Sequence, residues 1–135
     1  MRIVLDTNVL VSGLLSKGKP WQVLTACVTG GLTPILDPRI LGEYLDVLSR
    51  PHLHIPPDVR EAVLDALEGR GELIFPEPLD LPLPDPSDLP FLETAVSGRA
   101  DALVTGNLRD FPPHLRRGIP VLNPAAFLAH RDPPR

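Results

Sequence analysis

Short apolar runs alternate with helix-like segments along this chain of 135 residues, and that alternation limits the possible folds most strongly. Buried-strand patterns occur at 3–5, 33–36, 73–75, 102–105 and 120–122. Between them, apolar residues recur at helical spacing over 21–28, 38–48, 57–69, 91–96 and 124–130. Strands that alternate with helices predict an α/β fold, in which a parallel sheet carries helices on both faces, joined by right-handed crossovers.

The length and composition favour one folded unit, predicted to span 1–130, with a short tail over 131–135. A hydrophobic content of 43% is enough to form a core. The single cysteine excludes an internal disulfide framework and a multi-thiolate zinc site. No apolar run approaches the ~18 residues of a membrane span, so we expect a soluble, cytoplasmic protein.

The charge distribution excludes a strongly basic nucleic-acid-binding surface, because the formal net charge is −4. Arginines are nevertheless concentrated after residue 98, where the local balance is positive. This pattern predicts either ordinary surface variation or a rim that contacts phosphates, with Arg109, Arg116 and Arg117 as the RNA-binding candidates. Aromatic residues make up only 4%, which argues against a base-stacking platform.

Asp6 directly follows the first apolar strand, and the 106–110 turn follows the fourth. In parallel α/β sheets, ligands bind outside the carboxyl ends of the strands, at the point where the strand order reverses. Asp6 is therefore a candidate functional carboxylate. The alternative is a structural one, since an Asp-Thr-Asn sequence can cap or turn its own backbone.

Three further acids are candidates by position. Asp88 lies in line with the apolar stripe of the helix that begins near Phe91, although it could instead cap that helix. Glu43 is about 130° from the centre of its helix's apolar stripe and, taken alone, suits a surface glutamate. Asp110 could simply pair with Arg109.

Taken together, these acids make a stronger case for a functional site, because the predicted topology brings strand ends and helix starts to one edge of the sheet. Carboxylates gathered there would repel one another and raise their pKa values unless a cation neutralised them. An all-oxygen site selects Mg²⁺ or Mn²⁺ over zinc. We expect one or two such ions to activate water for phosphodiester hydrolysis.

The residues at these positions resemble the motifs of the PIN-domain family. Met1–Leu10, which reads MRIVLDTNVL, is similar to its first motif, and Glu43 matches its second acidic position. Asp85–Leu92 (DPSDLPFL) and Leu103–Phe111 (LVTGNLRDF) resemble its third and fourth motifs. The resemblance extends to about Phe127, and within the family it is strongest to the compact toxin components of bacterial toxin–antitoxin pairs.

The resemblance implies a three-layer α/β/α fold with a five-stranded parallel sheet in the order 3-2-1-4-5. It also implies a Mg²⁺- or Mn²⁺-dependent endoribonuclease acting on single-stranded RNA, with Asp6, Glu43 and Asp88 as catalytic metal ligands. Asn8 and Thr105 would orient the first carboxylate or a water. Homodimers and neutralisation by a small antitoxin protein are further implications.

The sequence departs from the family pattern at Asn107, because many relatives carry an aspartate directly after Thr-Gly. An amide offers one oxygen ligand and removes a negative charge. Either Asp110 supplies the fourth catalytic carboxylate beside Asn107, or the metal site is weaker and a second ion is in doubt.

Two other functions are compatible with the sequence. Asn107 favours a PIN-like module that binds RNA or protein without efficient turnover. Asp6 at a strand end also suits a phosphohydrolase with an aspartyl nucleophile, although Asn8 stands where that class usually has its acid/base carboxylate.

Overall fold

The computed structural model describes residues 1–131, which form an α/β structure around one parallel sheet. The five strands lie in the order β3-β2-β1-β4-β5, and their bounds are Arg2–Leu5 (β1), Thr33–Leu36 (β2), Glu72–Leu73 (β3), Ala102–Val104 (β4) and Val121–Leu122 (β5). The strand order and the three-layer α/β/α class are those expected from the sequence.

Six helices connect or flank the strands: α1 (Thr7–Leu15), α2 (Lys19–Thr29), α3 (Pro38–Leu48), α4 (Pro57–Arg70), α5 (Leu89–Ser97) and α6 (Pro124–Arg131). Single 3₁₀ turns occur at Pro51–Leu53, Pro86–Asp88, Leu108–Asp110 and Pro113–Leu115.

The sheet is built around β1 and β4, which pair in parallel with Ile3 opposite Ala102. Ile3, Val4 and all three residues of β4 are fully buried, because helices cover both faces of these central strands. The chain leaves β1 toward β2 and later returns to the other side of β1 as β4. The strand order therefore reverses between β1 and β4, and this is the topological switch point of the sheet.

The sequence signals at the helix ends act as expected. Asp37 caps α3, with its carboxylate accepting hydrogen bonds from the backbone N–H groups of Arg39 and Ile40. Gly30 ends α2 in the left-handed conformation, with φ of 95°. Cys27 is fully buried in the core.

Helix α1 was not predicted from the sequence. Its segment contains Val9, Val11 and Gly13, which have modest or poor helix propensity. Packing against α2 accounts for it: a Cβ added at Gly13 would lie 3.1 Å from the carbonyl oxygen of Pro20 and 3.2 Å from Leu24. Close contact between two helices, rather than local propensity, thus stabilises α1.

The third strand was predicted one residue too late and too long. β3 comprises only Glu72 and Leu73, and the predicted strand residue Phe75 is 80% exposed. The backbone N–H of Ile74 still donates to Leu36, but Pro76 follows Phe75 and cannot continue the hydrogen-bond ladder.

At the carboxyl end of the described part, α6 extends through Arg131, the first residue of the predicted tail. The other tail residues, 132–135, lie outside the described range. Over residues 1–131, none of the helices combines the length and apolar character that a bilayer crossing requires.

Candidate functional site

Asp6 lies at the switch point of the sheet, immediately after β1, and is 5% exposed. It occupies the N-cap position of α1, yet its side chain makes no capping hydrogen bond. The capping role that the sequence left open is therefore not what holds this carboxylate. A nearly buried acid at this edge needs other partners.

Two polar side chains bind the Asp6 carboxylate. The hydroxyl of Thr105, just after β4, donates to Oδ2 at 2.7 Å, and the Nδ2 of Asn8 donates to the same oxygen at 3.3 Å. Asn8 is itself held, because its Oδ1 accepts a hydrogen bond of 2.9 Å from the backbone N–H of Gly106. The ends of β1 and β4 are thus joined through one carboxylate.

The pKa of Asp6 is raised above its ordinary value, chiefly because burial disfavours the charged form. The hydrogen bond from Thr105 opposes this increase, and the nearby charges of Glu43 and Asp110 add to it. Two other acids therefore lie close enough to Asp6 for their charges to affect its pKa.

Asp88 lies at the N-cap of α5, directly before its first residue, and is half-buried. Its side chain does not cap α5, and its Oδ2 is a buried atom with no hydrogen-bond partner among the described residues. Burial, together with the charges of Asp6 and Asp110, raises the pKa of Asp88 to about 7. The cap in this region is Asp85, which accepts from the Ser87 backbone N–H at 2.9 Å.

Glu43 reaches this site from the second turn of α3. Its Oε2 accepts a hydrogen bond from the hydroxyl of Thr7, the residue after Asp6. The next residue, Tyr44, is buried and donates its hydroxyl hydrogen to the Leu5 carbonyl oxygen. Two bonds from neighbouring residues thus connect α3 to the end of β1.

Asp110 and Asn107 lie together in the turn that follows β4. The Asn107 Nδ2 donates to Asp110 Oδ2 at 2.7 Å, and the Asn107 backbone N–H donates to the Thr105 hydroxyl at 3.0 Å. The same hydroxyl therefore connects this turn to Asp6.

The donor set of this acidic site fits a hard divalent cation. All its charged groups are carboxylates, and the unpartnered Asp88 Oδ2 is a buried oxygen that a cation would satisfy. Within residues 1–131, no three His, Cys, Asp or Glu side chains form a group positioned to hold an ion. Mg²⁺ commonly binds through one or two carboxylates and keeps several waters, which is compatible with this arrangement.

The three arginines singled out from the sequence are placed differently. Arg109 and Arg117 are exposed, and Arg109 belongs to the 3₁₀ turn that ends at Asp110. Arg116 is half-buried, and its Nε donates to the Phe111 carbonyl oxygen at 2.7 Å. Arg116 thus stabilises its own loop, a contact that the sequence did not reveal.

A second charged cluster lies on α3 and α5. Arg39 donates to Asp37 at 2.6 Å and to Glu93 at 2.8 Å, and both carboxylates are almost completely buried. Glu93 also accepts from the Leu79 backbone N–H at 2.6 Å. These bonds hold α3, α5 and the proline-rich segment together.

Sequence reasoning missed Thr7 and Gly106, whose contacts orient Glu43 and Asn8. Thr7 lies beside Asp6 in sequence, but only the unpredicted helix α1 turns its hydroxyl toward α3. Gly106 acts through its backbone N–H, which no side-chain pattern signals.

A known protein family and solved structures both match this chain. Residues 2–109 match a family model described as PIN domain. The structure is similar to the crystal structure of VapBC2 from Rickettsia felis bound to a DNA fragment from their promoter, with a TM-score of 0.57 and 18% sequence identity. That match covers 91% of this chain and 98% of the other. No protein with a curated description matches the sequence.

Proposed function

Because the chain belongs to the PIN-domain family, we propose that it is a Mg²⁺- or Mn²⁺-dependent endoribonuclease that cleaves single-stranded RNA. One observation supports this most directly. The Asp6 carboxylate, which does not cap α1, lies at the switch point of the sheet. It is near enough to Asp88 that its charge raises the pKa of Asp88. Carboxylates placed in this way form an unfavourable arrangement that a divalent cation would relieve.

In this proposal Asp6, Glu43, Asp88 and Asp110 are the catalytic carboxylates. With the Asn107 amide oxygen they would hold one or two ions between them, each ion bound directly by one or two carboxylates and otherwise through its waters. A bound ion would lower the pKa of a water and stabilise negative charge on the reacting phosphate.

The neighbouring side chains have separate tasks in the proposal. Thr105 and Asn8 hold the Asp6 carboxylate in one orientation through their hydrogen bonds to Oδ2. Burial and neighbouring charge raise the pKa of Asp88 to about 7, so a cation bound there would compete with a proton near neutral pH. Arg109 and Arg117, which are exposed, attract the RNA backbone, and Arg116 contributes charge from its bonded position.

The test is a cleavage assay with purified protein, labelled single-stranded RNA and Mn²⁺ or Mg²⁺. Asp6→Asn and Asp88→Asn should each reduce the cleavage rate at least about a hundredfold, and chelation of the metal should abolish cleavage. Asp46→Asn is the matched control, because Asp46 is an exposed acid on α3 that pairs with Arg50 on the solvent side of the helix. Cleavage that persists in both variants, or without metal, would refute the proposed mechanism.

We also propose that the protein is the toxin of a toxin–antitoxin pair, neutralised by a small antitoxin protein, and acts in the cytoplasm as a homodimer. The fold match to VapBC2 from Rickettsia felis and the family membership support this assignment. The expected genetic context is a short adjacent reading frame whose product has a helical tail. Co-expression with that product should suppress both growth arrest and RNA cleavage.

The alternative is a catalytically weak or inactive PIN-like module that binds RNA or protein. Asn107 favours it, because this amide donates to Asp110 where many relatives carry an aspartate. RNA binding without cleavage in the same assay would support the module. An aspartyl-nucleophile phosphohydrolase has weaker support, since both polar atoms of Asn8 are engaged by Asp6 and Gly106 and an amide cannot act as the acid/base group.

A further inference from the structure

A pocket of about 450 Å³ opens beside the acidic site, between α1, α2, the turn after β4 and the start of α6. This volume is within the range of small-ligand sites, roughly 300–1,000 Å³. Its lining includes Asn8, Val9, Ser12, Pro20, Asn107 and Pro124. We call this space the α1 pocket.

The α1 pocket shares residues with the acidic site. Asn8 donates to the Asp6 carboxylate, and Asn107 donates to the Asp110 carboxylate. A phosphate held by a cation at those acids would therefore have its neighbouring nucleotide within reach of this space. The connection is made by side chains whose positions are set by hydrogen bonds, so the two sites have a defined relative geometry.

The lining chemistry suits the flat face and polar edge of a nucleobase. Pro20, Pro124 and Val9 supply apolar surface. The Asn107 Nδ2 is engaged by Asp110. The amide Oδ1 has two lone pairs, so beside a bound ion it can still accept one hydrogen bond from a ligand. Ser12 is exposed on α1 and offers a hydroxyl at the rim.

We infer that the α1 pocket binds the base next to the scissile phosphate and favours an amino-bearing base, adenine or cytosine, over uracil. This inference rests on the proposed function in taking RNA as the ligand. The acceptor Oδ1 of Asn107 matches the exocyclic amino group of adenine or cytosine. Uracil carries a carbonyl oxygen at the corresponding position of the ring, and two acceptors repel each other.

The experiment has two parts. In the first, a single-stranded RNA library is cleaved with Mn²⁺ and the new ends are sequenced. In the second, the fluorescence anisotropies of labelled oligocytidine and oligouridine are titrated in EDTA at one fixed salt concentration. The variants are Ser12→Leu, which puts a bulky apolar side chain at the rim and narrows the pocket, and Ser12→Ala, which removes only the hydroxyl.

Ser16→Leu is the matched control, because Ser16 is an exposed serine four residues further on, at the C-cap of α1, and is not among the residues that line the pocket. The wild type and this control should show roughly fivefold enrichment of adenine or cytosine at one position beside the cut, and tighter binding of oligocytidine. Ser12→Leu should lose both preferences while remaining folded, and Ser12→Ala should weaken them.

The outcomes separate this inference from the proposed function. Metal-dependent cleavage with no base preference in the wild type would overturn the inference that the α1 pocket binds a base, and would leave the proposed nuclease activity standing. Preferential binding of oligocytidine without any cleavage would support the pocket and count against the nuclease. Absence of both binding and cleavage would overturn both, and retention of the preference in Ser12→Leu would overturn the pocket alone.

Discussion

Thr105 donates a hydrogen bond of 2.7 Å to Asp6, and the two residues are separated by 99 positions in the sequence. The same hydroxyl oxygen accepts from the Asn107 backbone N–H at 3.0 Å. One side chain thus links the end of β1, the end of β4 and the following turn. Thr105 is fully buried, so these bonds cannot be replaced readily by water.

Removing this hydroxyl should therefore cost both stability and activity. We expect Thr105→Val to lower the free energy of unfolding by about 1–3 kcal/mol, because the buried Asp6 carboxylate and the Asn107 backbone N–H each lose a partner. RNA cleavage should fall by more than about tenfold, since Asp6 is no longer held in one orientation. Urea denaturation and the cleavage assay measure the two effects.

Thr105→Ser is the control, because it keeps the hydroxyl and removes one methyl group. It should retain most of the activity. Equal activity in Thr105→Val and the wild type would show that the hydroxyl does not position Asp6.

Stability without metal should decrease as pH rises from about 4 to about 7. The folded-state pKa of Asp88 is raised from 3.8 to about 7, so the folded protein binds a proton that the unfolded chain has lost in this range. Above the folded-state pKa, Asp88 is charged in both states and its full destabilisation is present. After allowing for solvent screening, we expect a loss of roughly 1–2 kcal/mol.

Asp88→Asn should flatten this part of the stability profile and should be at least as stable as the wild type at pH 7. Thermal denaturation in EDTA at several pH values measures the stability profile of each variant. Asp46→Asn is the control and should follow the wild-type profile. A clear loss of stability in Asp88→Asn across this range would indicate a structural role for the carboxylate.

Divalent ions should stabilise the protein, and more strongly at pH 8 than at pH 6. At low pH the cation competes with the proton on Asp88, whereas above pH 7 the carboxylate is available. An ion at about a hundredfold excess over its dissociation constant stabilises the folded state by about 2.7 kcal/mol. Differential scanning calorimetry with and without Mn²⁺ detects this, and an unchanged Tm at pH 8 would contradict an ion site here.

The charged cluster on α3 and α5 should be important for stability and not for catalysis. Arg39→Ala leaves Asp37 and Glu93 buried without their cation. Because Arg39 itself is half exposed, we expect a loss of about 2–3 kcal/mol, below the full value for a buried pair. Arg50→Ala is the control, and disruption of its exposed pair with Asp46 should cost less than about 0.5 kcal/mol. Similar losses in both variants would contradict this assignment.

Charge reversal should separate the exposed arginines from the bonded one. Arg109→Glu and Arg117→Glu should weaken RNA binding with little change in Tm, whereas Arg116→Glu should also lower Tm because its bond to Phe111 is lost. Each lost phosphate contact should reduce the slope of log K against log salt by about 0.7. Arg50→Glu serves as the control, and salt-independent binding would argue against phosphate contacts.

Local patterns were enough to predict most of the strands and helices. The Asp37-Pro38 cap and the glycine stop of α2 formed as expected, because short-range backbone and side-chain geometry decides them. Asp6 could be predicted at the sheet edge, since a residue that ends a parallel strand must lie there. Phe75 lies outside the strand in which the sequence placed it, because Pro76 follows it and cannot continue the strand pairing.

The sequence by itself determined the order of strands and helices, and therefore which edge of the sheet receives Asp6 and Asp88. Only the tertiary structure decided that α1 forms, that Thr105 binds Asp6, and that burial and neighbouring charge raise the pKa of Asp88. The reason is the distance along the chain over which each effect acts. Local backbone preferences act within one or two turns of chain, whereas burial and charge repulsion depend on groups that only packing brings together.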